Sequence, residues 1–303
     1  MASSKDISMR QLRYFVAAAT TGRFSQAALD VHVSQSAITS AVAQLEENLG
    51  VNLFERQPYG VALTAEGHRF LQHARHILDT LNDALKEPLF LSHTQEGVVR
   101  VGATYAVLGY FLPSLLARFK RSYPQVDIDL VDMDRPCIEQ AVLEGRLDLG
   151  LIIVSNSEAI DRFEHYVLIR SRRQLWLASH HPLMTKPDIT LKDVAEHAYI
   201  LGTVEEGEAS TQRYWQARGL EPRVAFRTSS MESVRGLVAH GFGVTILSDM
   251  VFRTWSLEGK KIEVRPLNDA VPPMELGLIW KPDTELPTAA EAFRQFLIQA
   301  CGM

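Results

Sequence analysis

The stretch "SQSAITSAVAQLEENLG", Ser34 to Gly50, constrains this chain more than any other. Ile38, Val42, Leu45 and Leu49 recur at spacings of four, three and four, which is one apolar stripe along a helix. Ser34 stands where an N-cap belongs. The opposite side carries Gln35, Ser36, Thr39 and Ser40 in its first turns, and Gln44 further along. These are short donors and acceptors of the kind that can enter a DNA major groove. Gln can pair with an adenine edge, and Ser or Thr can contact bases or phosphates. The free amides of the helix N-terminus favour a nearby phosphate.

Two more helices precede it. One starts near Ser8, turns Leu12, Phe15, Val16 and Ala19 to one face, and stops at Gly22. A short one follows, with Ser25 as its expected N-cap and Ala27, Ala28 and Val31 facing inward. Two short helices joined by a tight turn, the second exposing a polar face, describe a helix-turn-helix. The plainer alternative is a helical hairpin with a solvated side. "VNLFERQPYGVALTAEG" adds strand-like pieces around a "QPYG" turn, a β-hairpin wing that would bring Arg56 near a phosphate or a minor groove. For a lone Arg, a plain surface charge is the competing reading.

Thr64, Glu66 and Gly67 open a further helix, in which Leu71, Ala74, Leu78, Leu81 and Leu85 repeat at three and four until Pro88. Such a short seam either packs on its own domain or pairs two subunits, and a two-fold DNA site favours pairing. The net charge of −5 excludes indiscriminate polyanion binding, so any DNA contact must come from well-placed groups.

The remaining two-thirds has another texture. "VVRVGA", "PSLLARFKRSYP", "VDIDLVDMD", "CIEQAVLEGRLD" and "LGLIIV" alternate strand and helix, which implies a parallel sheet covered on both faces. A second set runs from "HYVLIR" to "VTILS", and "MELGLIW" with a final helix closes the chain. With 46% apolar and 22% charged residues, the chain can bury cores for two such lobes.

From "LRYF" through "GRFSQAA", "VSQSAITSAVAQLEENLGVNLFER" and "LTAEG", the first segment resembles the DNA-binding half of LysR-type transcriptional regulators. "GATYAVLGYFLPSLLARFKRSYP", "EGRLDLGLI" and "VAHGFGVTILS" extend the resemblance more weakly into the second part. It implies an α/β chain with an N-terminal winged helix-turn-helix (1–64), a linker helix for dimerisation (65–91) and a two-lobed effector domain like periplasmic binding proteins (92–303). Lobe one would comprise about 97–165 and 268–303, and lobe two about 166–267, with crossings near Tyr166 and Leu267. The family's base-reading positions fall on Gln35, Ser36, Thr39 and Ser40, and its wing arginine on Arg56. Many members have Pro where Ser36 stands and a second Arg where Gln57 stands, so exact base preferences do not transfer.

Ligands of such lobes bind beyond the carboxyl ends of parallel strands. The loops there contain Thr104, Tyr105, Ser155, Gly202, Thr203, Ser229 and Phe242, the expected effector-binding residues; hydroxyls and helix-terminal amides suit a small carboxylate. Each Ser or Thr could instead be a helix cap, and Phe242 a core residue. The resemblance implies a homodimer or homotetramer on palindromic promoter DNA, in contact with RNA polymerase.

No cofactor, metal or catalytic residue is expected. Ten histidines fall in no H-E-x-x-H pattern, and there is no G-x-S-x-G or phosphate-cradling loop. Cys137 and Cys301 have no metal-ligand spacing, and Cys137 reads as a buried thiol. An enzyme or a solute-binding protein of two-lobed α/β fold is the alternative. The latter would need a signal peptide, which "MASSKDISMRQLRYF" does not resemble; the expectation is a cytoplasmic protein without membrane segments.

Overall fold

The computed structural model describes residues 7–57, 60–86 and 95–301. The chain divides into two compact units, residues 1–91 and 92–303.

In the first unit, α1 (Met9–Thr21) begins at a capping box. Ser8 Oγ accepts from Gln11 N–H, and the Gln11 side chain accepts from Ser8 N–H. It ends at Gly22, whose φ of 66° suits glycine. Next come α2 (Phe24–Asp30) and α3 (Gln35–Leu49), then the antiparallel pair β1 (Phe54–Gln57) and β2 (Gly60–Leu63), then α4 (Ala65–Lys86). Residue 23, not Ser25, caps α2; Ser25 lies inside that helix, exposed. Ser34 caps α3 by accepting from Ala37 N–H at 3.2 Å. Leu12, Phe15, Leu45, Leu53 and Ala74 form one buried cluster, and Ala18, Ala27, Ala28, Ile38 and Val42 a second. Leu71 and Leu78 pack against the first cluster beside Ala74, so this part of the α4 seam packs within its own unit. The side chain of Leu85, and Pro58, Tyr59 and Pro88, lie outside what is described.

The second unit holds two lobes. Lobe one contains β3 (Gly97–Ala103), α5 (Tyr105–Tyr110), α6 (Leu112–Ser122), β4 (Val126–Asp132), α7 (Arg135–Leu143), β5 (Leu149–Ile153) and β6 (Glu164–Ser171). Lobe two contains β7 (Arg173–Ala178), α8 (Leu191–Ala195), β8 (Ala198–Gly202), α9 (Gly207–Gln216), β9 (Arg223–Thr228), α10 (Met231–Ala239), β10 (Thr245–Ser248) and β11 (Ile262–Arg265). The chain then returns to lobe one as β12 (Met274–Trp280) and α11 (Thr288–Cys301).

Lobe one's sheet has the order β4-β3-β5-β12-β6, with β3 parallel to β4 and β5, and β12 antiparallel to β5 and β6. β5 is buried throughout, as its apolar run requires. In lobe two the order β10-β7-β11 is joined to the parallel pair β8-β9 through a bridge between Tyr199 and Val244. The crossing lies at Arg172 rather than near Tyr166. Tyr166 sits inside β6 opposite Leu278, because "HYVLIR" is the edge strand of lobe one and Leu168 is buried in that lobe's core. The return spans residues 266–273, where Asn268 N–H still bonds Ile189 O in lobe two.

Cys137 is exposed, against the expectation of a buried thiol. The register of α7 turns Ile138, Ala141 and Val142 inward and leaves Cys137 on the outer face.

Candidate nucleic-acid interface and ligand cleft

The outer face of α3 is free of its own unit's core. Ile38, Val42 and Leu45 are buried, while Gln35, Ser36, Thr39, Ser40 and Gln44 are exposed. Thr39 Oγ1 donates to Gln35 O at 3.0 Å, and Ser36 Oγ lies 3.0 Å from Ser34 Oγ. As a donor to Gln35 O, the Thr39 hydroxyl keeps its own lone pairs free to accept, while in the Ser34–Ser36 pair either hydroxyl can donate. Gln44 Oε1 accepts from Gln11 Nε2 at 3.3 Å, which ties that side chain to α1.

The wing is fixed to the same helix. Glu46 Oε1 accepts from the amides of Leu53 at 2.6 Å and Phe54 at 3.0 Å, at the entry to β1. At the other strand, Val61 N–H donates to Gly22 O at 2.9 Å. A Cβ at Gly60 would stand 2.3 Å from Gly22 O, so the close approach requires glycine. Arg56 lies in β1 opposite Val61; its side chain is outside what is described. Glu46 was not legible as functional, since a Glu on the solvent side of a helix is ordinarily only a solvated charge.

In the second unit Thr104 directly follows β3, Ser155 lies just beyond β5, and Gly202 and Thr203 stand at the carboxyl end of β8. Thr104 is 2% exposed, and its hydroxyl has no hydrogen-bond partner. Tyr105 is exposed and packs edge-on to Tyr110 at 6.4 Å. The Ser155 hydroxyl accepts from Glu275 N–H at 3.1 Å, a bond that braces β12, while its carbonyl faces Arg213 Nη2 at 3.4 Å. Thr203 N–H donates to Thr228 O at 2.9 Å, which brings Thr203 beside the exposed Ser229.

Phe242 stands elsewhere. It is 55% exposed and lines a surface cavity of about 540 Å³ with Glu232, Gly236, Leu237, His240, Leu257 and Glu258. It packs edge-on to Phe226 at 5.9 Å. It is not a core residue.

The residues that bridge the lobes include several that the sequence did not single out. Glu205, on the loop after β8, places Oε1 on Ala106 N–H of lobe one at 2.9 Å, and its carbonyl accepts from Asn156 Nδ2 at 2.9 Å. Burial pushes the Glu205 carboxyl above its ordinary range, and the charges of Glu206 and Asp132 add to this; Thr104 and the Ala106 amide act in the opposite sense. Thr104 thus lies close enough to favour the charged carboxylate without reaching hydrogen-bond geometry. Arg135 Nη2 pairs with Glu206 at 3.2 Å, and Arg213 Nη2 donates to Asn156 Oδ1 at 3.2 Å. At the far end of α5, Arg235 of α10 donates through Nη2 to Tyr110 Oη at 2.8 Å and to Val251 O at 2.7 Å. The acidic run "VEEGE" was the one available signal for Glu205, and it reads equally as a solvated loop.

No group of three or more His, Cys, Asp or Glu residues among those described could hold a metal, and no described helix is long and apolar enough to cross a membrane.

Comparison with known proteins accords with this geometry. Residues 9–68 match the model of the bacterial regulatory helix-turn-helix protein, lysR family, and residues 92–302 that of the LysR substrate binding domain. The chain is 29% identical to the HTH-type transcriptional regulator YnfL of Escherichia coli (strain K12), over 97% of this chain and 99% of YnfL. It is 31% identical to LrrA of Synechococcus elongatus, over 80% of this chain and 81% of LrrA. The crystal structure of HinK, a LysR family transcriptional regulator from Pseudomonas aeruginosa, superposes with a TM-score of 0.63 at 27% identity, covering 98% of this chain and 99% of HinK. With both of its units matched, the chain belongs to the LysR family of transcriptional regulators, DNA-binding regulators with an effector domain and not enzymes.

Proposed function

We propose that this regulator reads a palindromic promoter site through Gln35, Ser36, Thr39 and Ser40, and that a small organic acid bound between the lobes controls it. The observation that carries the DNA reading is the two-sidedness of α3. One side is sealed into the unit's core, and the first turns of the other present Gln35, Ser36, Thr39 and Ser40 to solvent, with Ala43, Gln44 and Glu47 further along. Arg56 on the wing supplies a backbone contact in this reading. Two copies pair through α4 to span two half-sites, as a homodimer or a dimer of dimers. Because Leu71, Ala74 and Leu78 pack within the unit, pairing falls to the rest of that helix, where Ile77 is 40% exposed.

The effector reading rests on the position of Thr104, Tyr105, Ser155, Gly202 and Thr203 at or just beyond the carboxyl ends of strands, with Ser229 next to Thr228, which Thr203 bonds. Phe242 has no part in it. To act, the ligand must favour one lobe arrangement over another, by about 1–3 kcal/mol of coupling. The change is passed to DNA bending and to contact with RNA polymerase. The test is a mobility-shift titration on the chain's own promoter DNA, repeated with each small organic acid that stabilises the protein in a thermal-shift screen. Specific binding whose footprint changes with a stabilising acid is the expected result. A protein that ignores its promoter, or a footprint that no stabilising acid alters, would contradict it.

A further inference from the structure

The cleft already contains a carboxylate. Glu205 and Glu206 are consecutive non-glycine residues in the left-handed region, with φ of 51° and 56°. L side chains adopt that conformation reluctantly, and two in succession need a surrounding structure that holds them. Here the holding groups belong to lobe one. Ala106 N–H is on the Glu205 carboxyl, Asn156 Nδ2 on the Glu205 carbonyl, and Arg135 on Glu206. Gly207 completes the turn, since a Cβ there would stand 2.6 Å from Gly202 O. No ion pair among the described residues neutralises Glu205. Beside it, the buried Thr104 hydroxyl lacks a partner of its own.

A free carboxylate entering this gap would seek the same groups, the Ala106 amide and the Thr104 hydroxyl. We propose that Glu205 is a tethered carboxylate occupying the polar position of the effector, and that a carboxylate-bearing effector acts by displacing it. This rests on the cleft reading above and gives it a mechanism. Without ligand, the lobes are linked through Glu205. The ligand substitutes an untethered carboxylate for the tethered one, so Ala106 keeps its bond while one of the three links from this loop to lobe one is lost, those of Asn156 and Arg135 remaining. A tethered group competes at high effective concentration, so an effector must add contacts of its own to win.

Acetate, which has a carboxylate and almost nothing else, is the probe. The full-length chain and its Glu205→Ala and Glu205→Gln variants would be titrated with acetate against matched chloride, following the melting temperature and the operator footprint. Acetate is expected to stabilise Glu205→Ala saturably, leave the wild type unmoved, and affect Glu205→Gln at intermediate concentrations. Thr104→Val in the Glu205→Ala background should weaken the acetate response at least several-fold. The footprint of Glu205→Ala should differ from that of wild type. If Glu205→Ala unfolds, the Glu205→Gln variant, which keeps the side chain's shape, carries the test. No saturable acetate response in a folded variant would overturn the proposal. So would an acetate response with a footprint identical to wild type in every variant. Failure of the cleft reading is separately visible, because organic acids that act on the wild type would then act unchanged on Thr104→Val.

Discussion

Glu46 Oε1 accepts a hydrogen bond from Leu53 N–H at 2.6 Å, and a second from Phe54 N–H at 3.0 Å. One carboxylate in the last turn of α3 therefore ties that helix to the entry of β1, and holds the outer face of α3 in place relative to the β1–β2 hairpin. Two amides at a strand entry would otherwise have only water.

Replacing Glu46 with Ala should cost the first unit about 1–3 kcal/mol, the range for losing bonds to a charged acceptor. Operator affinity should fall about tenfold, the equivalent of roughly 1.4 kcal/mol, as the wing loses its fixed position. Thermal denaturation and fluorescence anisotropy on operator DNA measure the two effects. Unchanged values in both would remove Glu46 from this role.

Thr104→Val separates a binding role from a structural one. The Thr104 hydroxyl is buried and lacks a hydrogen-bond partner, so an isosteric methyl should leave stability unchanged or raise it by up to about 1 kcal/mol. The effector-induced footprint change should nonetheless be blunted, with operator binding intact. A full effector response in the variant would exclude Thr104 from the site.

Arg235 is 1% exposed and joins α10 to Tyr110 and Val251 O. Arg235→Met should destabilise the second unit by about 2–4 kcal/mol, because it strands the Tyr110 hydroxyl and a buried carbonyl. Arg235→Lys should recover only part of this, since an ammonium lacks the two-armed fork. Urea denaturation reads both; equal stability of all three proteins would contradict the assignment.

His181 gives a pH signature. Burial, with His197 and His180 adjacent, lowers its pKa from 6.5 to about 4, and its Nδ1 accepts from Leu183 N–H. The unfolded chain takes up this proton from pH 6.5 downward, and the folded chain only near 4. The contribution of neutral His181 to stability is thus whole above 6.5, falls as the pH drops through that window and is gone below about 4. His181→Asn keeps an acceptor for Leu183 and has no proton to gain. Its melting temperature should decline less than that of wild type between those pH values, and equal slopes would contradict the prediction.

The elements with strong periodicity were legible in the sequence: the stripe of α3, the Ser34 cap, the Gly22 stop and the buried run of β5. Ser25 misled because a cap is a local signal, and the turn geometry placed the start of α2 before it. β6 was assigned to the wrong lobe because an edge strand alternates in the same way whichever sheet it joins, and only the pairing of Leu278 with Tyr166 decides. That Thr104, Ser155 and Thr203 follow strands was legible. Glu205, Asn156 and Arg135 were not, because they meet through tertiary contacts between distant segments. The place of Phe242 beside the α10 cavity was not legible for the same reason: the motif "HGFGV" does not say which side of α10 it packs beside.

The most direct test of the central claim is the affinity of Gln35→Ala for operator DNA, measured by anisotropy at fixed salt beside a scrambled duplex. Gln35 is exposed at the first position of α3, so its removal should leave the melting temperature unmoved. If it reads a base, specific binding should weaken by about 1–3 kcal/mol, roughly five- to 150-fold, with scrambled-duplex binding unchanged. Operator affinity equal to wild type in Gln35→Ala, and again in a variant that also carries Ser36→Ala and Thr39→Ala, would show that this face of α3 does not meet the bases.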